Sequence, residues 1–209
     1  SSADVESGRL RVTLGPSVSD NVVQRSDVEP QTVEVDKMLV CIGRNPNADG
    51  MNLEKLAVAR DDRGWLIADD RMETSVKGVF AVGDVLGPRK FMLAHVASTE
   101  GIIAAENAMG MSRKMDYRVV PSTIFTQPEV ANVGLSEVQA REQGYAVRAD
   151  SVLFRVLGKA QVIGEIAGET KIVSSRKDGK ILGVHIIGPH AADLIAEGAL
   201  ALQQGITVS

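Results

Sequence analysis

The run Lys177-Asp178-Gly179-Lys180 narrows most sharply what this chain can become. An Asp-Gly pair suits a tight turn with positive φ, whose twist matches that of two antiparallel strands. On its two sides stand residues 170–174 and Ile181–Ile187, both rich in β-branched side chains. The reading is a hairpin, and so an antiparallel sheet. Residues 119–125 and 145–155 also read as strands, and Pro121 puts the first at a sheet edge. Ser136-Glu137-Val138-Gln139 has the capping-box pattern, which predicts a helix over residues 136–143 stopped by Gly144. Ala191–Gln204 reads as a helix ended by Gly205. This order of strand, helix, strands and helix has no βαβ alternation. It predicts an α+β domain, an antiparallel sheet with helices on one face.

The first part of the chain has a different character. Arg9–Leu14 and residues 32–40 are strand-like, and the polar stretch between them holds Pro16 and Pro30. A loosely connected hairpin is expected. Residues 39–42 read as a buried strand ending at Gly43, with Cys41 a small buried hydrophobe. A helical turn is expected over residues 53–58, a turn over 61–64 and a strand over 65–68.

Residues 74–95 carry the chemistry. Residues 79–82 read as a buried strand, which Gly83 and Asp84 stop. Met92, Leu93, Ala94 and His95 open a small-residue stretch that predicts a helix over 94–109, ended by Gly110. A carboxylate after a strand, followed by a helix start, suits a polyol and phosphate ligand. Asp84 accepts from hydroxyls, and the free N–H groups of a helix start meet electron-rich oxygens. The plainer reading of Asp84 is a turn carboxylate, since Gly-Asp pairs are common in loops.

These residues resemble a known family. Residues 74–95 are similar to the second flavin-contacting motif of the FAD-dependent pyridine nucleotide–disulfide oxidoreductases. Met92-Leu93-Ala94-His95 is most similar to their dihydrolipoamide dehydrogenase branch. L-V-C-I-G-R-N-P-N at residues 39–47 resembles the return from the family's NAD domain to its FAD domain. V-V-P-S-T-I-F-T-Q-P-E-V-A-N-V-G at residues 119–134 resembles the start of its dimerisation domain. K-I-L-G-V-H-I-I-G-P-H-A-A-D-L at residues 180–194 resembles that domain's core hairpin and last long helix. The four motifs stand in the family's order and span nearly the whole chain.

The resemblance implies FAD and NAD as cofactors, and as partners a homodimer and a lipoyl-bearing protein. It implies that Asp84 holds the ribityl and pyrophosphate region, with Gly83 also among the cofactor-binding residues. The backbone of Met92, Leu93, Ala94 and His95 would run along the pyrimidine edge of the isoalloxazine. Gly43 would lie close to NAD, or be a plain turn glycine; Arg44 reads as a phosphate partner or as a structural ion pair. Residues 1–30 would be the tail of an NAD domain, without the partners of its parent sheet and a candidate for disorder or rearranged pairing. Residues 31–115 would be a partial FAD domain, and 119–209 a dimerisation domain lacking its end. Helix 191–202 and segment 119–133 read both as core and as interface, and the resemblance favours interface.

The family's two Gly-rich strand–helix units, its paired redox cysteines and its His-Pro…Glu segment are not among these 209 residues, and Cys41 is the single cysteine. The expectation is a carboxyl-terminal portion of such an enzyme, inactive alone, with no catalytic residue of its own and little hold on FAD. Apolar surface is expected to lie bare near residues 79–82 and 94–109. Two other classes stay open: a non-catalytic dimerisation module, and a portion of a related flavin disulfide reductase or soluble transhydrogenase. Met92–His95 argues against glutathione and mercuric reductases.

The three histidines have no metal-ligand spacing with Cys41, so no metal is expected. The imidazole of His95 is not expected to be catalytic, His185 reads as structural, and His190 as a surface or capping residue. A net charge of −4 and 3% aromatic residues disfavour nucleic acid. No apolar run reaches the ~18 residues of a membrane span, and a lone cysteine fits a cytoplasmic setting.

Overall fold

The computed structural model describes residues 2–6, 9–15 and 29–208. They fall into two compact units, Ser1–Arg44 and Asn45–Ser209.

In the first unit, β1 (Ser2–Glu6), β2 (Arg9–Leu14) and β3 (Gln31–Val35) form an antiparallel sheet in that order. β2 pairs with β3 from Leu10↔Val35 to Leu14↔Gln31, which is the expected hairpin with a shorter second strand. Val12 is buried beside its register partner Val33, and Arg11 pairs with Glu34 at 3.5 Å across the same strands. β2 therefore has a neighbour on each edge, so the strands expected to lack partners are paired with one another. The rest of that expectation, residues 16–28, lies outside the described residues. The buried strand expected over residues 39–42 is not formed. Leu39 is 88% and Ile42 94% exposed, and Cys41 is exposed rather than buried. No described strand pairs with this segment, and an apolar strand without a neighbour has no face to bury.

The second unit begins with loops. A 3-10 turn spans Leu53–Leu56 as expected. The strands expected over 65–68 and 79–82 reduce to single bridges, Arg60↔Leu66, Ala68↔Thr74 and Glu73↔Phe80. Side chains do here what a ladder does elsewhere. Asp61 Oδ1 accepts from the N–H groups of Arg63 and Trp65, both at 3.0 Å, and Asp69 Oδ1 from those of Arg71 and Glu73 at 2.8 and 3.0 Å. The loops close over Val58, Leu66, Met72, Ala81 and Leu86, joined by Ile103 and Ala104 of α1 (Ala94–Ala108). Val79 and Val82 pack on this cluster, so the bare surface expected there is absent, whereas Ile102 and Met109 are exposed at 59% and 86%. Gly110, at φ 93°, follows the end of the helix.

The remainder is a five-stranded antiparallel sheet of order β4-β5-β8-β7-β6. Its strands are β4 (Ser122–Ile124), β5 (Val130–Gly134), β6 (Val147–Leu153), β7 (Glu169–Ser175) and β8 (Ile181–Ile187). β4 is an edge strand, as Pro121 implied. The Asp178-Gly179 hairpin joins β7 to β8 through a longer loop, with the Ser175 N–H donating to Lys180 O at 2.9 Å. α2 (Glu137–Glu142) carries the full capping box: Gln139 N–H donates to Ser136 Oγ at 3.2 Å, and Ser136 N–H to Gln139 Oε1 at 2.9 Å. α4 (Ala191–Gln204) begins and ends where expected. α3 (Gly158–Ile163) and β5 as a separate strand had no clear signal, since each is short.

Neighbouring residues of β7 enter different clusters. Ile172 packs with Val133, Val184, Ile186 and Ile195, while Val173 packs with Ala140 and Val147. Successive strand residues face opposite ways, so α4 and α2 cover opposite faces, not the single face expected. Each fully buried aliphatic side chain contributes about 1.5–3 kcal/mol. Gly134 and Gly183 are register partners where β5 leaves the sheet. A Cβ on Gly183 would run into the Leu135 carbonyl, and one on Gly134 into Leu182 O and Leu202. Gly183→Ala is therefore expected to cost about 1–3 kcal/mol by overpacking, read as a lower denaturant midpoint with an unchanged m-value.

Candidate functional site

Two pieces of the second unit meet at the start of α1. The first is a 3-10 turn, Gly83–Leu86, entered from an extended Val82. Gly83 has φ 75° and lies against the helix, where an added Cβ would come within 3.2 Å of Ala97 Cβ. Its N–H donates to Glu100 Oε2 at 2.7 Å. The far end of the turn is equally tight: Gly87, at φ 72°, presses on the Trp65 indole, so that a Cβ would sit 2.9 Å from Cδ1. Leu66 N–H donates to Val85 O at 3.0 Å between them. Asp84 is thus an exposed residue on a turn anchored at both ends.

The second piece is the helix start. Met92 and Leu93 precede α1, Leu93 is its N-cap with extended backbone, and Ala94 and His95 are its first residues. The N-cap Leu93 makes no side-chain capping bond, and no acidic residue lies in the first turn. Helix geometry leaves its first N–H groups without intrahelical acceptors, where an electron-rich ligand atom is favoured. The structure therefore sets Gly83 and Asp84 beside the helix that Met92, Leu93, Ala94 and His95 begin. Gly43 belongs to the first unit. Its φ is not left-handed and a Cβ there would meet nothing within 4 Å, so neither strain nor packing among the described residues calls for glycine.

The histidines are held in separate places. His95 Nε2–H donates to the Pro121 carbonyl at 3.0 Å, and His185 Nε2–H to Leu135 O at 3.1 Å. Both imidazoles bridge elements of the fold. His190 is the N-cap of α4 and lies 3.4 Å from Asp193, with both side chains exposed. Among the described residues no cluster of three His, Cys, Asp or Glu could hold a metal ion. None of their helices is long and apolar enough to cross a membrane.

Sequence reasoning passed over Glu100. It is fully buried, and its second oxygen, Oε1, accepts from the Tyr117 hydroxyl at 2.7 Å. Burial, and then the adjoining Glu100 carboxylate, push the Tyr117 phenol well above the usual tyrosine range. The available signal was an acid between Thr99 and Gly101, within the small-residue stretch that opens the helix.

A second surface lies over the sheet. A groove of about 720 Å³ runs between α3, α4 and strands β7 and β8, lined by Leu157, Ile163, Ile172 and Leu194 among others. α4 buries Ala191 and Ile195 in the core, but Leu194 and Leu200 remain 46% and 56% exposed. Phe125, just after β4, is 80% exposed.

Comparison with known proteins gives a consistent picture. Residues 9–101 match the family model described as pyridine nucleotide-disulphide oxidoreductase, and residues 120–209 match the dimerisation domain of the same family. Dihydrolipoyl dehydrogenase of Thermus scotoductus is 45% identical over 179 residues, covering 86% of this chain and 38% of that protein. The Chlamydia muridarum enzyme of the same name is 43% identical over 205 residues, covering 95% of this chain and 43% of that one. The chain thus spans about two-fifths of the length of such relatives. The crystal structure of LpdA from Mycobacterium tuberculosis superposes with a TM-score of 0.82 at 29% identity, over 99% of this chain and 42% of that one.

Two outcomes are expected. Tyrosinate absorbance isolated by difference from Tyr117→Phe should emerge only above the ordinary tyrosine range. The folded state keeps a proton that the unfolded chain loses near pH ~10, so the stability from this group is present below that pH and is lost as pH rises through the higher folded value. Trp65 is the single tryptophan. Gly87→Ala should shift its fluorescence emission and cost about 1–3 kcal/mol, because the methyl group displaces the indole from a strained turn.

Proposed function

Since the chain belongs to the pyridine nucleotide–disulphide oxidoreductase family, we propose that it is the carboxyl-terminal portion of an FAD- and NAD-dependent dihydrolipoyl dehydrogenase. The observation that carries this reading is the anchored Gly83–Asp84 turn set against the start of α1. An exposed carboxylate beside helix-start N–H groups that lack intrahelical acceptors fits a flavin nucleotide in both respects. Asp84 would accept from ribityl hydroxyls and orient the nucleotide next to the pyrophosphate. The backbone of Met92, Leu93, Ala94 and His95 would meet the pyrimidine edge, where helix-start N–H groups favour negative charge on the reduced ring. When bound, the flavin supplies the two-electron link between a dithiol and NAD. Gly43 is the proposed point of approach for NAD. Its surroundings are exposed, and no described side chain fills the space that a Cβ would take.

The domain layout proposed is a tail of the NAD domain over residues 1–30, part of the FAD domain over 31–115, and a dimerisation domain over 119–209. The exposed apolar residues on α4 and after β4 support a homodimer formed through the last of these. A lipoyl-bearing protein is the proposed partner of the complete enzyme, and the cytoplasm its proposed location. With one cysteine, these residues cannot form the intrachain redox disulfide of such an enzyme.

Flavin retention tests the reading. The whole polypeptide, given excess FAD and passed through gel filtration, is expected to keep the visible flavin band. Asp84→Ala is expected to weaken FAD binding about 10- to 100-fold, the cost of losing charge-assisted hydrogen bonds. The 209 residues alone should oxidise no dihydrolipoamide. A folded whole polypeptide that leaves the column colourless would end the reading.

A further inference from the structure

We infer that the buried Glu100 and the half-buried Tyr117 form a brace that positions both ends of the 83–95 segment for the flavin, an inference that rests on the flavin reading above. At one end, Glu100 Oε2 holds the Gly83 N–H at 2.7 Å. Gly83 has little freedom otherwise, because its Cα lies against Ala97 of the helix that carries Glu100. At the other end, Glu100 Oε1 takes the Tyr117 hydroxyl at 2.7 Å. The Tyr117 ring stacks on Phe91, with centroids 6.2 Å apart and planes at 26°, and carries Lys90 Nζ over its face at 4.2 Å. Phe91 directly precedes Met92. One carboxylate with no exposed surface thereby ties the turn that bears Asp84 to the residues that lead into the proposed pyrimidine contacts. A buried acid is costly unless both oxygens are bonded. Here each has a donor, and each donor leads to a different end of the segment. Asp70 strengthens the second end, pairing with Lys90 at 3.4 Å.

Glu100 is thus a positioning residue, with no contact to substrate implied. Amide hydrogen exchange on the flavin-free whole polypeptide tests the brace without activity. Glu100→Leu is expected to speed exchange at the Gly83 amide and across residues 90–95 by about tenfold or more, with β5, β7 and β8 unchanged. Glu100→Gln keeps an acceptor for Gly83 and a partner for Tyr117, and should restore most of the protection. Tyr117→Phe keeps the ring and removes the hydroxyl, and should loosen both ends by a smaller factor; it also carries the test should Glu100→Leu fail to fold. Unchanged exchange at either end in a folded variant would overturn the brace, as would loss of protection spread evenly through the sheet. FAD affinity, measured in parallel, should fall about tenfold for Glu100→Leu and be largely rescued by Gln. Wild-type affinity with no difference among variants would overturn the positioning role while leaving the flavin reading intact. Wild-type protein that releases FAD would end the flavin reading, and the exchange data would then decide the brace alone.

Discussion

Hydrogen bonding along both edges of β8 is the constraint on which the carboxyl-terminal part of the molecule depends. β8 pairs with β5 on one side and β7 on the other, so its backbone is satisfied only when both neighbours are in register. That register puts Val184 and Ile186 on the face that α4 covers, and Gly183 on the opposite one. Gly183 lies opposite Gly134, where the chain turns out of β5, and only a residue without a Cβ lets the Leu135 carbonyl pass so close. α4 comes equally near: Gly198 lies against Val184, where a Cβ would find its side chain at 3.1 Å. Glu129 completes the junction, its backbone carbonyl accepting from Gly188 and its carboxylate from Ala192 in the first turn of α4, both at 2.9 Å. Sheet register, helix seating and helix capping are thus one set of mutually dependent contacts.

The loop-rich half before α1 solves the same problem without a sheet. Asp61, Asp69, Glu73 and Asn107 bond backbone groups that strands would otherwise pair. Met72 is fully buried at φ 68°, a conformation uncommon outside glycine and held here by packing and by bonds to Asp69 and Ala81. Glu100 works in the same way over a longer span of chain. It is a side-chain acceptor for a backbone N–H, moved from a surface turn into the interior, where an unbonded partner would cost most. The proposed site therefore stands on side-chain-to-backbone bonds, and its geometry is as dependent on residues such as Glu100 as on those that would touch the ligand.

Much of the fold was legible along the chain. Ser136 and Gln139 specify a cap at three-residue spacing, Gly144 and Gly205 take the left-handed conformation that ends a helix, and Asp178-Gly179 closes a hairpin. Each is a short-range device whose physics is complete within a few residues, so its residues alone announce it. The same holds for the turn at Gly83 and Asp84 and for the helix start at Ala94. Where the reading failed, the missing information was a neighbour. Residues 39–42 and 79–82 are apolar enough for strands, but one has no described partner and the other finds a single bridge. Apolar content reports a preference for burial and says nothing about which surface supplies it.

The chain by itself determined the antiparallel hairpin, the helix ends and the turn-then-helix signature, because backbone conformation at a cap or tight turn is set by the residues that form it. Only the tertiary structure decided that helices cover both faces of the sheet, that His95 and His185 spend their imidazoles on distant carbonyls, and that Glu100 reaches Gly83 and Tyr117, each 17 positions away. Such pairings depend on how separate segments are brought together in space, and no local propensity encodes them.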